Sequence, residues 1–256
     1  MTLSRDALEN IGRTSALVED EGDFWFSRVL GEYWVAINKS DNGLSPHIRD
    51  GYWEPWIMTW VNNNVEPNWS VADLGANVGF YTFQLASIGC AVTAYEPNPA
   101  VFKLLKKSLA KNRLDSDINV VLHQKAVSNV VDELEFIVPR HHPMNGSLHS
   151  SVYSPDGEDK IKVKTVDNLK AFDFIKIDIE GGEIDVFDIL SAKKHPLVLI
   201  EFRWDRYADP MKFANDIFDK YTNVSYVLHN GSEAKITSPE MLKQREHEDW
   251  MLVLRP

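Results

Sequence analysis

The stretch "VADLGANVGFYTF" (71–83) sets a carboxylate, Asp73, at the end of an apolar run and two glycines, Gly75 and Gly79, in the turn beyond it. "SVADL" (70–74) reads as a strand buried on both faces, and 79–88 as the helix that follows. The glycines stand four residues apart, so the dinucleotide fingerprint G-x-G-x-x-G is not met, and no Gly-Lys-Ser/Thr follows to make a phosphate loop. An acid beside a glycine turn suits a ligand with a positive end and opposes a pyrophosphate. The plainer alternative is that Asp73 caps the helix and the glycines only turn the chain.

Working outward, the same rhythm repeats. "AVTAYE" (91–96) is a strand, 99–112 a helix and "INVVL" (118–122) a strand. "ELEFIVP" (133–139) and "IKVKTV" (161–166) form a hairpin around a long loop, 139–160. The rhythm resumes with "FDFIKIDIE" (172–180), a helix over 182–190, "PLVLIEF" (196–202), a helix over 210–220, "NVSYVLH" (223–229) and "EDWMLVLR" (248–255). This pattern predicts an α/β protein with a doubly wound, mostly parallel seven-stranded sheet, an inserted hairpin and an antiparallel last strand.

The first 65 residues have a different texture and read as an N-terminal cap on the substrate side, with the main domain over 66–256. The cap holds a helix near 5–18, a short strand "EYWVAIN" (32–38), a turn-rich segment "KSDNGLSPHIRDG" (39–51) and a helix "YWEPWIMTWVNNN" (52–64). Pro55 sits in the first turn of that last helix, where its missing N–H costs nothing. Trp53, Trp56 and Trp60 share one helix face, as an aromatic platform for a ligand or as packing onto the main domain.

Of 256 residues, 44% are hydrophobic and 25% charged, the balance of a soluble globular protein. No apolar run reaches membrane-span length, and the start lacks the apolar core of a secretory signal. Cys90 is the single cysteine, which excludes an intramolecular disulfide and a thiolate metal cluster and suits a reducing, cytoplasmic compartment. A net charge of −11 counts against a nucleic-acid backbone as main partner. The densest basic stretch, "KLLKKSLAKNR" (103–113), has its lysines between apolar positions and reads as a solvated helix face.

Two further strand ends carry candidate chemistry. The second strand ends in "YEPNP" (95–99), where Glu96 can accept both hydroxyl hydrogens of a ribose and Pro97 fixes the loop, or where Glu96 is merely a solvated strand end. In "DFIKIDIEGGE" (173–183), Asp178 and Glu180 leave the strand on one side, Gly181 and Gly182 permit a sharp turn, and Glu183 enters the next helix. Three readings stand for these carboxylates. They complement a cationic ligand and hydrogen-bond a substrate, or they bind Mg²⁺ or Ca²⁺, or Glu183 caps and packs. A nucleoside with a cationic tail matches S-adenosylmethionine.

These motifs, in order, resemble the FkbM-type S-adenosylmethionine-dependent methyltransferases: "DLGANVG" (73–79), "EPN" (96–98), "TVDNL" (165–169) and "KIDIEGGE" (176–183). "GYWEP" (51–55) resembles a further G-x-x-E element of the family. The resemblance implies a Rossmann-like class I methyltransferase with S-adenosyl-L-methionine as cofactor. It implies that Asp73, Gly75, Asn77 and Gly79 hold the methionine end, that Glu96 with Pro97 holds the ribose, and that Ala126 and Val127 border the adenine. The family often carries Asp or Asn near that edge, where "HQKAVSN" (123–129) offers Gln124 and Asn129, and the resemblance then implies mainly backbone contacts to the adenine.

Asp178 then serves both cofactor and chemistry, with Glu180 beside it. The loop "RHHPMNGSLHSSVY" (140–153) offers His142 and His149 as candidate bases, and Glu201 is another proton acceptor. The expected reaction is O-methylation of a hydroxyl on a sugar, a glycan or a small metabolite. The alternatives are RNA methylation and a cofactor-binding module without turnover. No resident metal is expected, a divalent ion at the carboxylates being the alternative. A nicotinamide oxidoreductase is disfavoured by the glycine spacing.

Overall fold

The computed structural model describes residues 3–41, 43–140, 144–149 and 157–256. The N-terminal part comprises α1 (Arg5–Ser15), β1 (Leu17–Asp20), β2 (Phe24–Val29), β3 (Tyr33–Asn38), α2 (Ser45–Arg49) and α3 (Pro55–Asn64). Then follow β4 (Ser70–Leu74), α4 (Phe80–Ile88), β5 (Ala91–Tyr95), α5 (Pro99–Asp115), β6 (Val120–His123) and the two-residue β7 (Ala126–Val127). The hairpin β8 (Glu133–Pro139) and β9 (Glu158–Val166) leads to β10 (Phe174–Ile177), α6 (Glu183–Ile189) and β11 (Val198–Phe202). The chain ends with α7 (Pro210–Lys220), β12 (Asn223–Val227), β13 (Glu233–Lys235) and β14 (Trp250–Arg255).

The central sheet runs β13-β12-β14-β11-β10-β4-β5-β6, with β14 antiparallel to both its neighbours. The seven expected strands are all present, and β13 is an eighth that the sequence reading took for polar loop. Its three residues, Glu-Ala-Lys, are too few and too polar to show a strand pattern. Glu233 fixes it instead, accepting from Trp60 Nε1 at 2.8 Å and from the Arg255 guanidinium at 2.7 Å.

Alternation along the strands feeds two cores. Val71, Phe174, Leu199 and Val253 face one layer, while Ala72, Ile175, Ile200 and Leu252 face the other. The first layer contains α4, which is buried on every side from Phe80 to Ala86. Such a helix needs cover on both faces. The sheet supplies one, and β3 with α3 supplies the other, so the N-terminal segment completes the main core.

The N-terminal segment is richer than expected. The first helix ends at Ser15, and β1 and β2 join β3 in an antiparallel sheet of order β1-β2-β3. Residues 17–29 were missed because half-exposed strands with a charged edge lack clear alternation. The far edge of β3 is sealed by α5. Ala36 N–H donates to Ser108 Oγ at 2.8 Å, and Asn112 both accepts from Trp34 N–H and donates to its carbonyl, each at 2.7 Å. An edge so paired is closed to further strands.

The tryptophan face divides. Trp60 is fully buried with its ring 5.9 Å from that of Phe174, so packing holds there. Trp53 is half-buried at the cavity described below. The hairpin insertion is as expected, with β7 adding parallel to β9. Among the described residues, no helix is long and apolar enough to cross a membrane.

Candidate functional site

A cavity of about 420 Å³ opens beyond the carboxyl ends of β4, β5, β10 and β11, the place where ligands bind in open α/β sheets. The order reverses between β4 and β10, which lie side by side although the chain leaves β4 for β5. At that junction a Cβ on Gly75 would overlap the Asp178 carbonyl, and Gly75 itself has φ +80°. Glycine is required there by the close approach of two strand ends.

One half of the cavity is built from β5 and the hairpin insertion. Glu96 is buried at 7% exposure, accepting from Asn77 N–H at 3.0 Å and from Asn98 N–H at 2.8 Å. Each carboxylate oxygen takes one backbone N–H and keeps capacity for another donor. Burial pushes this carboxyl up to about 7, against the pull of the two N–H groups. Pro97, Ala126, Val127 and Phe136 continue the same wall.

The other half is charged. Lys176, on β10 beside Asp73 of β4, donates to Asp178 Oδ2 at 3.0 Å and sits 4.8 Å from the Tyr81 ring centroid. Burial opposes its charge, but Asp178, Asp73 and Glu54 outweigh that and hold its pKa above the ordinary value. Arg206, just past β11, pairs with Glu201, with Glu180 at 3.1 Å and with Asp249 at 3.3 Å. Burial pushes Glu180 up to about 7 despite Arg206, and Glu201 well above the usual carboxylate range. Glu54 enters from the start of α3 and accepts from Tyr81 Oη at 2.7 Å. Burial, with Asp178 nearby, lifts it to about 7.

Strain concentrates here. Non-glycine residues with positive φ among the described residues include Glu54 (40°), Asn77 (51°) and Glu180 (57°), and all three line the cavity. Such conformations cost of order 1–3 kcal/mol each and cluster at functional sites.

Of the residues singled out in sequence, Gly75, Asn77, Glu96, Pro97, Ala126, Val127, Asp178 and Glu180 all reach this one cavity, and so does Glu201. Others do not. Asp73 is fully buried beneath the wall, where its Oδ2 accepts from Thr82 Oγ1 at 2.6 Å. A Cβ on Gly79 would overlap the Phe83 and Leu105 side chains, so its conformation serves helix packing. His149 lies outside the cavity lining and bonds Asp185 at 3.1 Å on α6. His142 lies outside the described residues.

Glu183 also departs from a converging acid. Its oxygens accept from Ile179 N–H at 2.9 Å, Gly181 N–H at 2.8 Å and Tyr207 Oη at 3.0 Å, so it holds the turn that presents Asp178 and Glu180. The capping reading therefore describes Glu183. Among the described residues no group of three or more His, Cys, Asp or Glu side chains is arranged to hold a metal ion. The acids meet Lys176 and Arg206 instead.

Sequence reasoning missed Tyr81, Lys176, Arg206 and Asp249, and gave Glu54 no role. Lys176 stood inside a quoted motif, and a lysine in the middle of an otherwise apolar strand was the available signal. Arg206 and Asp249 carried none, because nothing in the sequence relates two residues that pair across more than forty positions.

A reversed-order α/β sheet with an acid at the second strand end and a cavity over the switch point is the architecture of a nucleoside-cofactor enzyme. The profile of the methyltransferase FkbM domain matches residues 73–228. The chain belongs to that family.

It is 33% identical over 101 residues to ribosomal RNA small subunit methyltransferase J of Neisseria meningitidis, across 38% of this chain and 40% of that one. It thus spans well under half the length of that relative. Among solved structures it is similar to magnesium protoporphyrin IX methyltransferase from Synechocystis PCC 6803 with bound SAM. That likeness has a TM-score of 0.46 and 12% identity, over 84% of this chain and 85% of that chain. It is also similar to precorrin-6y C5,15-methyltransferase from Geobacter metallireducens GS-15, with a TM-score of 0.42 and 11% identity over 78% and 86% of the two chains.

Proposed function

We propose that the protein transfers a methyl group from S-adenosylmethionine to a hydroxyl of a sugar, a glycan or a small polyhydroxyl metabolite. The observation that carries this is the division of one cavity into a Glu96 half and a charged half bearing Trp53. The residues present fit the cofactor. Glu96 has an unused acceptor direction on each oxygen for two ribose hydroxyls, and carboxylates outnumber cations along the wall, which favours a cationic donor. When bound, the cofactor supplies an electrophilic methyl carbon on a sulfonium.

The chain's own residues do the rest. Gly75 and Asn77 hold the amino-acid end, supported from behind by Asp73 and Gly79. Pro97, Ala126, Val127 and Phe136 enclose the adenine and exclude water. Asp178 and Glu180 complement the cationic centre. Residues 1–65 act as the acceptor-side cap, giving Trp53 as a flat apolar face and Glu54 as a hydrogen-bond acceptor. Paired charges such as Arg206 with Glu201 present donors and acceptors together, which suits hydroxyls better than a phosphate backbone.

The test is calorimetric titration with S-adenosylhomocysteine, followed by labelled-methyl transfer to a panel of methyl glycosides and to ribosomal RNA. Binding of the product with label on glycosides is expected. The relative that methylates ribosomal RNA motivates the second arm, and label on RNA alone would replace the hydroxyl-metabolite reading.

A further inference from the structure

We propose that Glu54 is the general base of the reaction, taking the acceptor's hydroxyl proton, and that Tyr81 is the residue that positions it. The inference rests on the methyl-transfer reading above and names the residue that makes the acceptor oxygen nucleophilic.

Five carboxylates stand at the charged half: Glu54, Asp178, Glu180, Glu201 and Asp249. Four are committed to cations. Asp178 accepts from Lys176, and Glu180, Glu201 and Asp249 all pair with Arg206. A carboxylate oriented by a guanidinium or ammonium has its lone pairs engaged and is not free to turn toward an incoming hydroxyl. Glu54 differs. Among the described residues its carboxylate accepts one hydrogen bond, from Tyr81 through Oε2, and it makes no ion pair. Oε1 is thereby left to an incoming hydroxyl.

The backbone of Glu54, like that of Glu180, is left-handed. It holds φ 40° and ψ 62° at the N-cap of α3, and its side chain makes no capping bond there. An N-cap glutamate in a left-handed conformation contributes little to its helix. What the conformation achieves is to send the side chain from the cap into the cavity, against Tyr81 of the buried helix α4. The groups facing Glu54 are Tyr81 from α4, Lys176 and Asp178 from β10 and its turn, and Asp249 before β14. Burial, Asp178 and Asp249 favour its neutral form, while Tyr81 and Lys176 favour its charged form. The balance places it about 7, where a base is both available and able to gain a proton.

The step balances. Glu54 takes the hydroxyl proton as the acceptor oxygen bonds to the methyl carbon. The carbon–sulfur electron pair stays on sulfur, which becomes a neutral thioether. The proton on Glu54 then passes to solvent.

The test has two arms on the full chain, each with Glu54→Gln and Tyr81→Phe. Difference infrared spectroscopy between about pH 5.5 and about pH 8.5 follows carboxyl protonation without any acceptor present. Carboxyl absorbance titrating near neutrality is expected to fall by one group's share in Glu54→Gln, and that share to move to higher pH in Tyr81→Phe. No such fall in Glu54→Gln, or a Tyr81→Phe midpoint unmoved, would overturn the proposal.

In the second arm, kcat is measured against pH with whichever glycoside of the panel is labelled, and S-adenosylhomocysteine affinity is measured in parallel. Glu54→Gln should bind the product within about threefold of wild type, keep its thermal midpoint, and lose roughly 10²–10⁴ in kcat together with the acidic limb. Glu54→Asp should recover part of that rate. Full turnover by Glu54→Gln would sink the base assignment while leaving methyl transfer standing. A wild type that binds no product and labels nothing would sink the function instead, and the infrared arm alone would then decide the state of Glu54.

Discussion

The two halves of the cavity are held by opposite means. On the Glu96 side a single acid is fixed by the N–H groups of Asn77 and Asn98, and its shape is set by loops that are short in sequence. On the charged side, side chains from α3, α4, β10, the segment after β11 and the approach to β14 neutralise one another. The first half is a backbone-built socket, and the second is a network in which every charge depends on another. A socket tolerates single changes with local loss. A network whose cation is removed leaves buried acids uncompensated.

The largest expected effect therefore comes from Lys176→Met. It strips the cation from Asp73 and Asp178 and from the vicinity of Glu54, all in a place where water cannot replace it. Removing one partner of a buried pair costs about 3–5 kcal/mol, read as a fall in denaturant midpoint. The sign with pH is fixed by linkage. Without Lys176 the folded acids ionise at higher pH, so the folded state holds protons that the unfolded chain has lost. The loss should be greatest above neutrality and smallest near about pH 5. Equal loss at both would mean that Lys176 acts through packing and not through charge.

Next in size is Glu96→Ala, which tests the socket. Two hydrogen bonds to one charged carboxylate are worth about 3 kcal/mol together, a loss of roughly a hundredfold in S-adenosylhomocysteine affinity by calorimetry. Unchanged affinity would remove Glu96 from the ribose role. Turnover at saturating cofactor should change little, in contrast to Glu54→Gln. That contrast separates the halves functionally as well as structurally.

The same division explains what the sequence disclosed. Asp73, Gly75, Asn77 and Glu96 fall in two short stretches whose glycines, proline and strand ends are local signals, and all except Asp73 arrive at the cavity wall. The doubly wound, mostly parallel sheet followed from alternation of apolar runs with helical ones. In the charged half the acids Asp178, Glu180 and Glu201 were legible but their cations and pairings were not, because Arg206 and its partner Asp249 lie more than forty residues apart, as do Glu54 and Lys176 across the fold. No periodicity relates them, and only the folded sheet brings them together. β1 and β2 were lost for another reason, since their half-exposed residues carry a pattern too weak to separate from loop.

The smallest effect belongs to His149, which sits at neither half but ties the segment after β8 to α6. Its ring bonds Asp185, and its N–H donates to Ser147 Oγ at 3.0 Å. Ser147 in turn donates to the Glu180 carbonyl at 2.6 Å, so the tie braces the turn that presents Glu180. The hydrogen bond to Asp185 raises the imidazole pKa, and burial only partly opposes it. A raised pKa means that the imidazolium stabilises the fold fully below the unfolded value of about 6.5 and loses that contribution as pH rises through the folded value. The side chain is 43% exposed, so solvent screening holds the contribution to less than about 1 kcal/mol. His149→Ala should lower the thermal midpoint slightly at about pH 6 and hardly at all at about pH 9, with kcat nearly unchanged at both. A large fall in kcat with the midpoint preserved would reverse the comparison, moving His149 from a brace outside the cavity into the chemistry beside Glu54.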